Sequence, residues 1–296
     1  MTTKLYGSLE AGGTKFICAV GNSDFEVVAR HQFPTTTPEE TMAQVIAFFE
    51  QFEGLEAIAV GSFGPIDIDE KSPTYGYVTT TPKPHWSNAD MIGPMKKALN
   101  VPIYFTTDVN SSAYGEVISR DSVENLVYYT IGTGIGAGAY ANGHFIGGIG
   151  HTEMGHTYMA IHPEEGDFEG VCPFHKNCLE GLAAGPSLEA RTGIRGENIP
   201  LDSDVWDKQA YYIAQAAIQA TMMFRPEVIV FGGGVMAQDH MLKRVRDYFT
   251  SLLNGYLPVP AVEDYIVTPI VPNNGSATVG NFALAMNIAR EAEGSN

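Results

Sequence analysis

Three short apolar runs, at residues 4–10, 14–20 and 27–33, constrain the fold of this chain more than any other feature. They are joined by Ala11-Gly12-Gly13 and by Gly21-Asn22-Ser23-Asp24, so they read as a three-stranded antiparallel meander. The pattern then changes to alternation. Pro38-Glu39-Glu40 opens a helix with Met42, Val45, Ile46, Phe49 and Phe52 at helical spacing, and residues 57–60 read as a buried strand. Residues 61–88, rich in Gly, Pro and Thr, read as a long irregular loop of the kind that is functional or mobile. A helix near 89–99, a strand over 102–107 and a helix after Asp108 complete the order βββαβαβα.

From Asn125 the same grammar restarts, with strands over 126–131 and 135–140 about the turn Gly132-Thr133-Gly134, and a third near 144–146. Only small residues and Thr are shared between the two first turns, so the repeat is one of topology. Helical segments follow near 179–184 and 186–191, then a long helix over about 205–224. A strand at 228–231 leads through Gly232-Gly233-Gly234 into a helix bearing Met241, Val245 and Phe249, a strand near 265–268 and an Ala-rich helix over 277–290. The whole is an α/β chain of 296 residues, natural for two domains, with the boundary expected between 112 and 124.

Acids outnumber bases 34 to 17, which argues against a nucleic-acid or anionic-membrane partner. The same excess also describes a merely solvated acidic surface. MTTKLYGSLEAGG holds no signal-peptide core and no later run reaches the length of a membrane span, so a cytoplasmic protein is expected. Three cysteines make no disulfide framework. Cys18, inside FICAV, reads as a small core residue.

Glycine turns stand at three strand ends. Gly12, Gly13, Thr14 and Lys15 offer backbone N–H groups, a hydroxyl and a cation suited to a phosphate, or else a hairpin turn alone. Their spacing is not that of a P-loop. Gly132-Thr133-Gly134-x-Gly136 approaches a dinucleotide fingerprint, but a strand follows where a helix should start. Gly232, Gly233 and Gly234 suit close approach of a nucleotide, or ordinary punctuation. Asp108 ends a strand before a helix, where a carboxylate is either a helix cap or a general base. Asn110, Ser111 and Ser112 are available to cap in its place.

Residues 150–180 hold two of the three cysteines and four of the eight histidines. His156, Cys172, His175 and Cys178 give H-x15-C-x2-H-x2-C, the number and type of ligands that structural zinc prefers. His144, His151 or His162 could replace His156. Four ligands leave no open position, so such a metal is structural. Glu153 and Glu180 frame the cluster, and a site that orders this loop would fix both carboxylates.

Taken together these residues resemble the ROK family of sugar kinases and repressors, within the sugar kinase/actin/heat-shock chaperone ATPase superfamily. The resemblance covers nearly the whole chain. It is carried by EAGGTK ending at Lys15, Gly64-Pro65, Asp108-Val-Asn110, IGTGIG ending at Gly136, Glu153-Met-Gly-His156, C-x2-H-x2-C-x-E ending at Glu180, and FGGGV ending at Val235. G-x-x-E-A-G-G-T-K with C-P-x-H is similar to the bacterial fructokinase branch.

The resemblance implies two RNase H-like domains with a cleft between them. They would span 1–115, with the helix 277–292 packing back on it, and 116–276, with a zinc-binding insertion at 150–180. It implies ATP-dependent phosphorylation of a hexose at its primary hydroxyl, with fructose foremost and mannose or glucose as alternatives. Asp108 would be the general base, and Gly64, Pro65, Asn110, Glu153, His156 and Glu180 would form the sugar site. The turns 12–15, 132–134 and 232–234 would hold ATP with Mg²⁺, zinc would be structural, and a homodimer is expected. Two departures stand out. Glu10 replaces the Asp common at the first loop, and His175 replaces one thiolate of the common C-x-C-G-x2-G-C-x-E run.

A sugar-sensing regulator of the same fold is discounted, because the family's repressors carry a helix-turn-helix ahead of the first strand. A zinc hydrolase built on His151, Glu153 and His156 lacks H-E-x-x-H.

Overall fold

A computed structural model describes residues 4–294. Its elements are β1 (Leu5–Ala11), β2 (Lys15–Gly21), β3 (Val27–Pro34), α1 (Pro38–Phe49), β4 (Leu55–Ser62), β5 (Tyr77–Val78), β6 (Ala89–Asp90), α2 (Ile92–Ala98), β7 (Ile103–Thr107) and α3 (Asp108–Ile118). There follow β8 (Asn125–Ile131), β9 (Ile135–Ala141), β10 (His144–Phe145), α4 (Leu179–Ala183), α5 (Gly185–Thr192), α6 (Val205–Phe224) and β11 (Val228–Gly232). The chain closes with α7 (Asp239–Leu253), α8 (Val262–Tyr265), β12 (Ile266–Val267) and α9 (Ser276–Gly294).

Two five-stranded sheets carry the fold, in the orders β3-β2-β1-β4-β7 and β10-β9-β8-β11-β12. In the first, β1 runs antiparallel to β2 and β2 to β3, while β4 and β7 extend the sheet in parallel. In the second, β9 runs antiparallel to β8, and β11 and β12 continue in parallel. The repeat read from two dissimilar turns is therefore a repeat of sheet topology. The chain falls into two compact units. One holds the residues up to Ser119, Phe145–His151 and the residues from Val271 on; the other holds Arg120–His144 and Thr152–Ile270. Relative to a division at 115/116 and 276/277, the segments 116–119, 145–151 and 271–276 lie with the first unit.

Local chemistry explains the elements. Thr37 caps α1, its hydroxyl accepting the Glu40 N–H at 3.3 Å, and Pro38 sits where no N–H is needed. Ala57 to Val60 are wholly buried in β4, because this central strand is covered on both faces. Leu9, Phe16, Val45, Phe49, Val60 and Phe105 pack on one side, and Tyr6, Ala19, Ala57, Ala59, Phe282 and Ala285 on the other. Side chains staple α9 into the first unit. Ser111 donates to Asn281 Oδ1 at 2.6 Å, Asn281 donates to Leu9 O at 3.2 Å, and Ser276 donates to Glu116 at 2.7 Å. In the second unit α7 buries Met241, Val245, Phe249 and Leu253, four residues apart, as the spacing requires.

Beyond the end of β4, residues 61–88 hold no helix and only the two-residue β5, so they form the irregular loop expected, but a pinned one. Ile66 bridges Val78, β5 pairs with β6, and Trp86 is fully buried with its indole N–H on Thr36 O at 2.8 Å. Ala89 accordingly belongs to a strand, and the helix expected from 89 begins at Ile92. No helix among the described residues is long and apolar enough to cross a membrane.

Candidate active site

Asp108 is the first residue of α3, directly after β7. The cap belongs to Thr107, whose hydroxyl accepts the Asn110 N–H at 3.1 Å, and not to Asp108 or to the three residues available to cap in its place. Asn110 instead donates its amide to Thr106 at 3.0 Å, Ser111 bonds Asn281, and Ser112 donates back to Asp108 O. A Thr just ahead of the first helical residue was the signal for this. Half-buried Asp108 accepts the Val109 N–H at 2.9 Å, at a helix end that favours negative charge.

The remaining candidates of the first unit lie in two turns. Gly12, Gly13 and Thr14 join β1 to β2, with Gly12 N–H on Lys15 O at 3.0 Å and the Thr35 hydroxyl on Gly12 O at 2.7 Å; Thr14 and Lys15 are exposed. Just before this hairpin Glu10 accepts a bond from the Thr278 hydroxyl of α9. Burial raises the Glu10 pKa, against the opposing effects of Thr278, Arg30 and Lys15. Gly64 and Pro65, joined by a cis peptide bond, lie beside His151, whose Nε2 faces the Ile66 N–H at 3.1 Å.

In the second unit the turns 132–134 and 232–234 and the acid Glu180 converge on the end of β8. Glu180 Oε2 accepts the Ile135 N–H at 3.0 Å, and a Cβ at Gly134 would stand 2.8 Å from that oxygen, so a side chain there would displace the carboxylate. The Gly185 N–H reaches Gly132 O at 2.7 Å and the Val235 N–H reaches Ile131 O at 3.0 Å. Gly233 has φ +88° and a Cβ on it would meet Ile131 O at 2.4 Å, which excludes other residues. The helix after this turn begins only at Asp239.

Residues 157–178 contain neither helix nor strand, only the bridges Tyr158 to Cys178 and Cys172 to Lys176. Even so, the ligand atoms of His156, Cys172, His175 and Cys178 all lie within 4.8 Å of one another. His156 Nδ1 is 3.8 Å from Cys172 Sγ and 3.6 Å from Cys178 Sγ, and His175 Nδ1 is 3.9 Å from Cys172 Sγ. Burial pushes the Cys178 thiol up to about 11. His162 Nδ1 instead accepts the Glu164 N–H, and His151 lies with the first unit, so neither joins the cluster. Glu153 is exposed just ahead of the short turn Met154–His156.

A second tether of this segment had no signature in the sequence. Buried Glu165 receives Arg191 Nε at 2.6 Å and the Tyr212 hydroxyl at 2.5 Å. The Arg191 guanidinium lies 4.2 Å from the centre of the Phe168 ring.

These motifs stand in the order of a known family, and the model of the ROK family matches residues 6–288. The chain belongs to the ROK family. Among its relatives, a fructokinase of Streptococcus mutans serotype c is 69% identical, over 97% of this chain and 99% of that protein. A fructokinase of Lactococcus lactis subsp. cremoris is 55% identical, covering 96% and 97%. The crystal structure of a ROK hexokinase from Thermus thermophilus superposes with a TM-score of 0.79 at 21% identity, covering 97% and 99%. That likeness extends to the fold of this ROK-family chain.

Proposed function

We propose that the chain is an ATP-dependent hexose kinase that converts fructose to fructose 6-phosphate. The observation that carries this reading is the 69% identity, across almost the whole of both chains, to a protein named fructokinase. Asp108 takes the proton of the sugar's primary hydroxyl, at a helix start whose cap is already filled by Thr107. Glu153, His156 and Glu180 bind sugar hydroxyls, with Gly64, Pro65 and Asn110 shaping the sugar site. His156 turns Nδ1 to the two thiols, which leaves Nε2 for the substrate. Gly12 to Lys15, Gly132 to Gly134 and Gly232 to Gly234 receive the nucleotide phosphates through backbone N–H groups, a hydroxyl and one cation. Positioning and exclusion of water then supply the rate, since little covalent chemistry falls to the protein.

His156, Cys172, His175 and Cys178 fit zinc. Tetrahedral zinc with Zn–S of ~2.3 Å and Zn–N of ~2.0 Å sets sulfur and nitrogen about 3.5 Å apart. The separations here are 3.6 to 3.9 Å. With four protein ligands the metal supplies no catalysis and orders the loop. Mg²⁺ enters with ATP and offsets phosphate charge.

The test is ADP release by purified protein given ATP, Mg²⁺ and fructose, mannose or glucose in turn, with the phosphorylated position read by NMR. Fructose-dependent release and a phosphate on the primary hydroxyl are expected. Sugar binding without turnover would instead mark a sensing protein.

A further inference from the structure

The loop carrying Gly64 and Pro65 is held from two sides. On one, the Thr79 N–H and hydroxyl both donate to Pro65 O, at 2.8 and 3.0 Å, and Ile66 bridges Val78. On the other stands His151, whose Nε2 is 3.1 Å from the Ile66 nitrogen, 85 residues away in sequence. A backbone N–H only donates, so Nε2 must accept; the ring is then neutral with its proton on Nδ1. The ring also abuts Gly64, with Cε1 3.4 Å from where a Cβ on that glycine would stand. Ile66 is buried, so its N–H has little recourse to water if the acceptor is lost. Residues 68–71, which follow this loop, and 145–148 with Gly150, which lead to His151, wall a cavity of about 360 Å³ together with Asn110. All these residues belong to the first unit.

We propose that His151 is a positioning residue for the sugar. By accepting the Ile66 N–H it fixes Gly64 and Pro65 where the substrate meets them, without touching the substrate itself. The assignment rests on the reading of that loop as a sugar contact. It gives His151 a role separate from the cluster of His156, Cys172, His175 and Cys178, for which its residue type alone would have made it a candidate. Losing the acceptor loosens the loop, and the loss is felt in sugar binding and not in nucleotide binding or proton removal.

The experiment compares His151→Gln, whose amide oxygen can take the place of Nε2, with His151→Phe, which keeps a ring and loses the acceptor. Steady-state kinetics are read with fructose and ATP varied separately, and amide exchange is read at Ile66. His151→Gln keeps the fructose KM near that of the wild type and keeps the Ile66 amide protected. His151→Phe raises the fructose KM on the order of tenfold, the scale of one lost hydrogen bond to a buried amide. It speeds exchange at Ile66 and leaves kcat and the ATP KM within about twofold. If the Phe ring is not accommodated, His151→Met makes the same comparison. An unchanged fructose KM in the acceptor-free variant, or equal damage in the Gln and Phe variants, overturns the proposal. Wild-type protein that releases no ADP with any hexose overturns the kinase reading itself, and the Ile66 exchange rates then still report whether the tether exists.

Discussion

Asp108 and the acids of residues 150–180 are put in place by opposite means. Asp108 stands where β7 becomes α3, so main-chain hydrogen bonds and one threonine cap set its position. Glu153 and Glu180 lie on either side of a stretch with no regular element from 157 to 178, shaped by side chains. Two thiols and two imidazoles gather at one end of that stretch, and a buried ion pair anchors its middle. A backbone-built site answers chiefly to substitution of the acid itself. On the zinc reading proposed above, a side-chain-built site answers also to metal supply and to loss of any one tether.

The largest effect is expected from Asp108→Asn. The amide keeps the size of the side chain and Thr107 keeps the cap, so the fold should survive while kcat falls roughly 10²- to 10⁴-fold, the usual worth of a general base. Turnover at saturating fructose and ATP measures it. A variant within twofold of the wild type would remove Asp108 from the chemistry and break the comparison at its first term.

Arg191→Ala acts on the other region. It strands the carboxylate of Glu165, which is almost wholly buried and keeps only the Tyr212 hydroxyl. Breaking a buried pair on one side costs about 3–5 kcal/mol, which denaturant unfolding should show as destabilisation of the second unit. The exchange rate of the His162 amide, bonded to Tyr212 Oη at 3.0 Å, should rise with it. If stability is unchanged, the ion pair does not tether the loop.

Cys178→Ser, or a chelator, tests the metal end. Zinc content should fall, and the fructose KM should rise on the order of 10- to 100-fold while the ATP KM moves little. A drop in nucleotide affinity ahead of sugar affinity would place the loop at the wrong substrate. Part of the stability loss in Cys178→Ser will be local, since Cys178 Sγ also receives the Gly181 N–H at the start of α4.

The same contrast governs what the residues disclosed before any coordinates. Strand and helix alternation located Asp108, because periodicity is written locally along the chain. The ligand cluster was legible from residue types and from the C-x2-H-x2-C spacing. Its tethers were not, since Glu165 meets Arg191 and Tyr212 across 26 and 47 positions and His151 meets Ile66 across 85, and no spacing rule links such pairs. β5 and β6 are two residues each, too short for any period, which is why residues 61–88 read as loop. At the helix start the error was of register: α3 begins with Asp108 itself, so the cap fell one residue before the ones considered.

The smallest effect concerns Glu10, a second acid at a strand end, and it asks whether backbone placement also settles a charge. Burial raises its pKa above the ordinary 4.5, and Thr278, Arg30 and Lys15 offset this only in part. The folded chain therefore holds this proton to higher pH than the unfolded chain does. The stabilisation from that proton is fully present below the unfolded value and is lost as pH rises through the folded value. Glu10→Gln, which cannot ionise, should match the wild type in acid and gain on it as pH rises through that window, while still accepting the Thr278 hydroxyl. Thermal unfolding of both proteins across that range measures the gap. A gap that narrows with rising pH would mean that Arg30, Lys15 and Thr278 outweigh burial, and that the strand end holds Glu10 as a stabilised anion.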